Sequence, residues 1–159
     1  MEVPDRSESR TFYLPFAPTL DDGVADSDGA LMGGGGVPTF AEGKIGQSLQ
    51  LNGVNEFVEV NPSNEARFDG FDEEGNQTGF TVTAWFRVNA FEKDWQALIA
   101  KGEDNRWLIH RRGGESVLTG NGGNADVSQG TTAINDGEWH QATLVSAPDV
   151  GLRSLISRA

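Results

Sequence analysis

FTVTAWFRV, residues 80–88, is the clearest β-strand in the chain. Phe80, Val82, Ala84, Phe86 and Val88 occupy every second position, with Thr81, Thr83, Trp85 and Arg87 between them. Side chains along a strand point alternately to its two sides, so this order makes one apolar face and one polar face. Its β-branched and aromatic residues favour the same extended conformation. A half-buried strand of an antiparallel sheet follows.

Upstream of it, residues 61–79 are polar and rich in Gly, Asp and Glu, and read as a surface loop. Residues 56–60 and 44–51 read as strands on either side of Asn52-Gly53, a strong turn dipeptide. Residues 19–36, with the glycines Gly33 to Gly36, read as a long loop inside the domain. Residues 11–16 read as a short edge strand containing Pro15, after a disordered lead-in over residues 1–10. Downstream, residues 95–101 and 106–111 read as a hairpin. Residues 116–119 and 131–134 read as weaker strands separated by a loop at 120–130. Asp136-Gly137 is a turn into a good strand over 138–146. No segment carries an apolar 3.6-residue period capped at both ends. The reading is therefore all-β: a two-sheet antiparallel sandwich or jelly roll, a single domain over residues 11–159.

Composition narrows the function classes. Twenty-four acidic against 12 basic residues give a net charge of −12, which disfavours nucleic acid and anionic membrane surfaces as partners. The absence of cysteine excludes disulfides, thiolate zinc sites and thiol nucleophiles. No run approaches the ~20 apolar residues of a membrane helix, so membrane insertion by a helix is not expected. Residues 1–10 lack the apolar core of a signal peptide.

Several stretches resemble, in order, the laminin-G-like domains of bacterial surface proteins, relatives of the legume lectins and pentraxins. They are residues 11–16; ADSDGA at 25–30; GKIGQSLQLNGVNEFVEV at 43–60; FTVTAWFRV; WQALIAKGEDNRWLIHR at 95–111; and NDGEWHQATLV at 135–145. The resemblance implies a concanavalin A-like jelly roll. It also implies an extracytoplasmic place, secreted or on the cell surface, as part of a longer chain. Two departures stand out. Where that family has a His pair, this chain has His140 followed by Gln141. The strands expected after Gly151 are cut short, so a C-terminally incomplete jelly roll is expected, with an open sheet edge and self-association that grows with salt.

The function this points to is a non-catalytic recognition or adhesion module whose partner is a glycan or a surface protein. A carbohydrate-binding domain attached to an enzyme is the alternative. Glycoside hydrolysis is the least favoured, because jelly-roll glucanases carry two carboxylates on one strand face. Here Glu56 and Glu59 are three apart on opposite faces, and Asp72, Glu73 and Glu74 sit in a loop. His110 and His140 show no metal-ligand spacing and read as ordinary strand residues. Of the four tryptophans, Trp85 and Trp139 lie inside the best strands and read as core. Trp95 and Trp107 flank a polar turn and read as ligand contacts, able to stack on a pyranose. Arg106 and Arg111, with Arg112, make a basic patch on the same hairpin, either for an acidic partner or as balance to Glu103 and Asp104. The resemblance implies calcium near Asp26 and Asp28, while an Asx-type turn is the competing reading of that loop.

Overall fold

The computed structural model describes residues 14–16, 18–23, 27–60, 74, 76, 78–102, 107–122, 126–147 and 153–158, of which 122, 126–128 and 153–158 are described as backbone. Every regular element among them is a β-strand, and every pairing is antiparallel. The chain divides into two compact units, Met1–Glu65 and Ala66–Ala159.

In the first unit, β1 (Gly29–Met32) pairs with β4 (Phe57–Val60), and β2 (Thr39–Glu42) pairs with β3 (Gln47–Gln50). The turn at Asn52 forms as expected. Its Oδ1 accepts from the backbone N–H of Val54, Asn55 and Glu56, and Glu56 Oε2 accepts from Asn52 N–H. The strands on either side of that turn, however, do not pair with each other. The loop read at 19–36 contains β1, which forms because β4 supplies partners for its backbone. Gly33 is indispensable to the approach: it has φ +79°, and a Cβ there would lie 1.8 Å from Asn55 O. Leu14, Pro15 and Phe16 are irregular, so the opening strand does not form there; residues 11–13 lie outside the described residues. The lead-in at 1–10 lies outside them too.

The second unit is a two-sheet sandwich. One sheet has the order β11-β10-β5, with β5 (Phe80–Arg87), β10 (Trp139–Ser146) and β11 (Arg153–Arg158). The other has the order β6-β7-β8-β9, with β6 (Ala97–Lys101), β7 (Trp107–Arg111), β8 (Leu118–Gly122) and β9 (Asp126–Gln129). The strand β9 occupies the predicted loop at 120–130, and residues 131–134 are irregular instead. After Gly151 a strand does form, paired with β10 from Gln141↔Arg158 to Ser146↔Arg153.

The alternation in residues 80–88 governs the packing. Phe86 faces inward with Ala142 and Leu144 of β10. They meet Trp107 and Ile109 of β7, Leu118 of β8 and the loop residue Ile134. Burying each large aliphatic side chain here is worth about 1.5–3 kcal/mol. On the outer face of the β5–β10 pair stand Thr83 and Thr143, whose hydroxyls lie 3.0 Å apart, and Arg87 over the Trp139 ring at 5.1 Å. Trp85 shares that face and is 37% exposed, so it is not a core residue. Its position opposite Phe86 in a period-two strand explains why.

The strand β10 is entered through a second polar brace. Asp136 Oδ1 accepts from Glu138 N–H at 3.0 Å and from the buried His140 Nε2 at 2.9 Å. An ionised carboxylate only accepts, so His140 carries the proton on Nε2. The His140 hydrogen bond, then the Glu138 N–H, hold the Asp136 carboxyl below its usual 3.8. A depressed carboxyl stabilises the fold above its unfolded value, and that stabilisation is lost as pH falls through the folded value. Acid unfolding below pH 3.8 is therefore expected to begin at higher pH in Asp136→Asn than in the native chain. Coincident acid-unfolding curves, followed by fluorescence, would contradict this.

Candidate functional site

The site forms where the loop before β6 meets the turn after β7. Period two places Trp107, Ile109 and Arg111 on the inner side of β7, and Leu108 and His110 on the other. Trp107 is consequently core, 6% exposed, with its ring 5.3 Å from Phe80. This burial differs from the exposed place expected of a ligand contact. The polar turn beside it suggests exposure, but the strand begins at Trp107 itself and turns the indole inward.

Arg111 is also internal, 8% exposed. Its Nε donates to Glu115 O at 2.5 Å, Nη1 to Lys93 O at 2.5 Å and Nη2 to Gly114 O at 2.7 Å. The guanidinium lies 4.2 Å over the Phe91 ring, and Asp94 Oδ1 is 3.7 Å from Nη1. Five planar donors on one rigid group suit this task of tying two loops together. Arg111 is thus a structural knot and presents no basic patch. Arg106 lies outside the described residues.

Trp95 is the opposite case. It is 62% exposed and has φ +60°, a left-handed conformation that is a genuine outlier for a bulky residue. Strain of this kind costs on the order of 1–3 kcal/mol and persists only where the surroundings enforce it. The enforcing contacts are on both sides. Trp95 N–H donates to Gly113 O at 3.2 Å, and Arg111 N–H donates to Gln96 O at 2.8 Å. The indole lies on the buried His110 ring, centroids 5.9 Å apart and planes 20° apart. One indole face is thereby packed on the protein, and the residue keeps most of its surface in water.

The loop of Asp26 and Asp28 is legible in part. Asp28 Oδ1 accepts from Asp22 N–H at 2.8 Å, a bond that closes the loop across six residues and is not the local Asx turn, and Gly29 N–H donates to Leu20 O at 2.7 Å. Asp26 lies outside the described residues. Among the described residues no three His, Cys, Asp or Glu side chains converge on a metal position. A calcium shell of about six to eight oxygens would have to draw on groups beyond these.

Sequence reasoning missed His110 as a support, Arg111 as a knot and Asp94 as a neighbour. The Gly113-Gly114 pair directly after Arg111 and Arg112 was the available signal, since it marks the sharp turn that brings this segment back to Trp95.

The antiparallel two-sheet sandwich defines the class of fold to which the chain belongs. The Laminin_G_3 family description, concanavalin A-like lectin/glucanases superfamily, matches residues 52–154. The chain belongs to that family, and with it to the laminin-G-like recognition modules. No curated protein and no solved structure matches it. No helix among the described residues is long and apolar enough to cross a membrane.

Proposed function

We propose that this chain is a non-catalytic recognition module of a secreted or surface-anchored protein, and that it binds a glycan through Trp95. The observation that carries the reading is the exposed indole, held in a strained backbone conformation on the His110 ring. A rigid aromatic loses little freedom on binding, and its flat face suits the apolar face of a pyranose. Adhesion follows if the glycan belongs to another surface. The catalytic reading gains no support, since Glu56 is engaged by the Asn52 turn and Glu59 is an exposed strand residue across from Ala30.

Titration with oligosaccharides is expected to quench tryptophan fluorescence saturably. Trp95→Ala is expected to remove that quenching and to weaken binding by tenfold or more, while changing stability by less than about 1 kcal/mol, as for other exposed positions. Unchanged affinity in Trp95→Ala would overturn the reading. Release of reducing ends from a β-glucan that disappears in Glu56→Gln or Glu59→Gln would make the chain an enzyme.

Calcium at the Asp26 and Asp28 loop stands as a separate proposal, supported by the resemblance and by the carboxylate of Asp28. An ion that binds only the native state raises the melting temperature. The expected result is higher melting in millimolar calcium than in chelator. Equal melting means that this loop holds no calcium site.

A further inference from the structure

The surroundings of Trp95 say which glycans fit, an inference that rests on the reading just given. Gly113 and Gly114 form a strip without side chains beside the indole. A Cβ at Gly113 would lie 4.0 Å from Trp95 Cζ2, and one at Gly114 would lie 3.5 Å from Asp94 Oδ1. The aromatic edge and the carboxylate thus border one bare stretch of backbone. The Asp94 side chain is 69% exposed, and the Arg111 guanidinium that approaches its Oδ1 lies below the surface.

We propose that this strip is a subsite for one neutral, hydroxyl-rich pyranose unit, with Trp95 under its apolar face and Asp94 accepting from its hydroxyls. Two neighbouring hydroxyls can donate to the two oxygens of one carboxylate, and hydrogen bonds to an ionised group are the stronger kind. The charge around the strip favours a neutral ligand. The exposed charge that borders the strip is the Asp94 carboxylate, and the chain as a whole carries −12, so an anionic ligand is repelled. The guanidinium that could best clamp an acidic sugar, Arg111, already donates to three backbone carbonyls. A uronate would bring its charge toward Asp94 without that compensation.

The test is calorimetric titration of the native chain, Trp95→Ala, Asp94→Asn and Gly114→Ala with neutral gluco-, manno- and galacto-oligosaccharides and with oligogalacturonate. Melting curves would establish that each variant is folded. At least one neutral series is expected to bind the native chain, and oligogalacturonate to bind at least tenfold more weakly. Asp94→Asn is expected to lose on the order of tenfold in affinity. Gly114→Ala, which places a methyl in the strip while leaving both recognition side chains in place, is expected to lose a comparable factor. Trp85→Ala, on the outer face of the other sheet, is expected to bind as the native chain does. If Trp95→Ala loses binding while Asp94→Asn and Gly114→Ala retain it, or if oligogalacturonate binds as tightly as the neutral series, the subsite is wrong and Trp95 alone makes the contact. If no carbohydrate of either class binds, the glycan reading itself falls, and the subsite with it.

Discussion

Trp107→Ala is expected to destabilise the fold by about 3–5 kcal/mol, the usual cost of emptying a large aromatic site in a core. The indole lies against the Phe80 ring, in the same buried cluster as Ile109 and Leu118. For a chain of this size each kcal/mol lowers the melting temperature by roughly 2–4 °C, so a drop well beyond that of any surface change is predicted. Ligand affinity of the fraction that remains folded is expected to be unchanged, because the residue points away from Trp95. A variant with native melting and lost binding would return Trp107 to the ligand surface and reverse the assignment of the two indoles.

Arg111→Ala is the second large effect. Removing the guanidinium leaves the carbonyls of Lys93, Gly114 and Glu115 without their donor and uncovers the Phe91 ring. Lys93, Gly114 and Glu115 are exposed residues, so water can reach the freed carbonyls, and the loss is that of three hydrogen bonds to a charged group, at most about 1.5–3 kcal/mol each. A loss of about 3 kcal/mol or more is expected by chemical denaturation. Unlike Trp107→Ala, this change is expected to weaken glycan binding as well, since the knot fixes the loop that carries Asp94 and Trp95. Arg111→Lys should recover little, because one ammonium on a flexible stem cannot reach three carbonyls in a plane. Stability within about 0.5 kcal/mol of native in Arg111→Ala would show that the two loops hold their places without it.

Much of the fold was written locally. The period-two order of residues 80–88 and 139–146 puts Phe86, Ala142 and Leu144 inside, and the Asn52 and Asp136 turns form from their own side chains. What local signals do not carry is pairing. Strands β1 and β9 are four residues each and contain polar or glycine residues, and they exist because β4 and β8 stand beside them. The candidate site divides the same way. Trp95 stood out as an aromatic next to a polar segment, and that feature survives. Its left-handed backbone and its seat on His110 depend on contacts from Gly113 and Gln96, brought close by folding. Trp85 and Trp139, read as core, lie on the outer face, and Trp107 lies inside, because being inside a strand does not determine a face; the register does. Arg111 looked like surface charge because arginine usually is, and the three carbonyls, the Asp94 carboxylate and the Phe91 ring around it make an interior place tolerable.

The measurement that bears most directly on the account is fluorine NMR of the chain labelled with 5-fluorotryptophan, which has four tryptophans and so four resonances. The Trp95 and Trp107 signals would be assigned by their disappearance in Trp95→Phe and Trp107→Phe. On titration with the neutral oligosaccharide that binds best, the account predicts a saturable shift of the Trp95 resonance while that of Trp107 stays in place. A stationary Trp95 signal alongside saturable movement of any other tryptophan would contradict it.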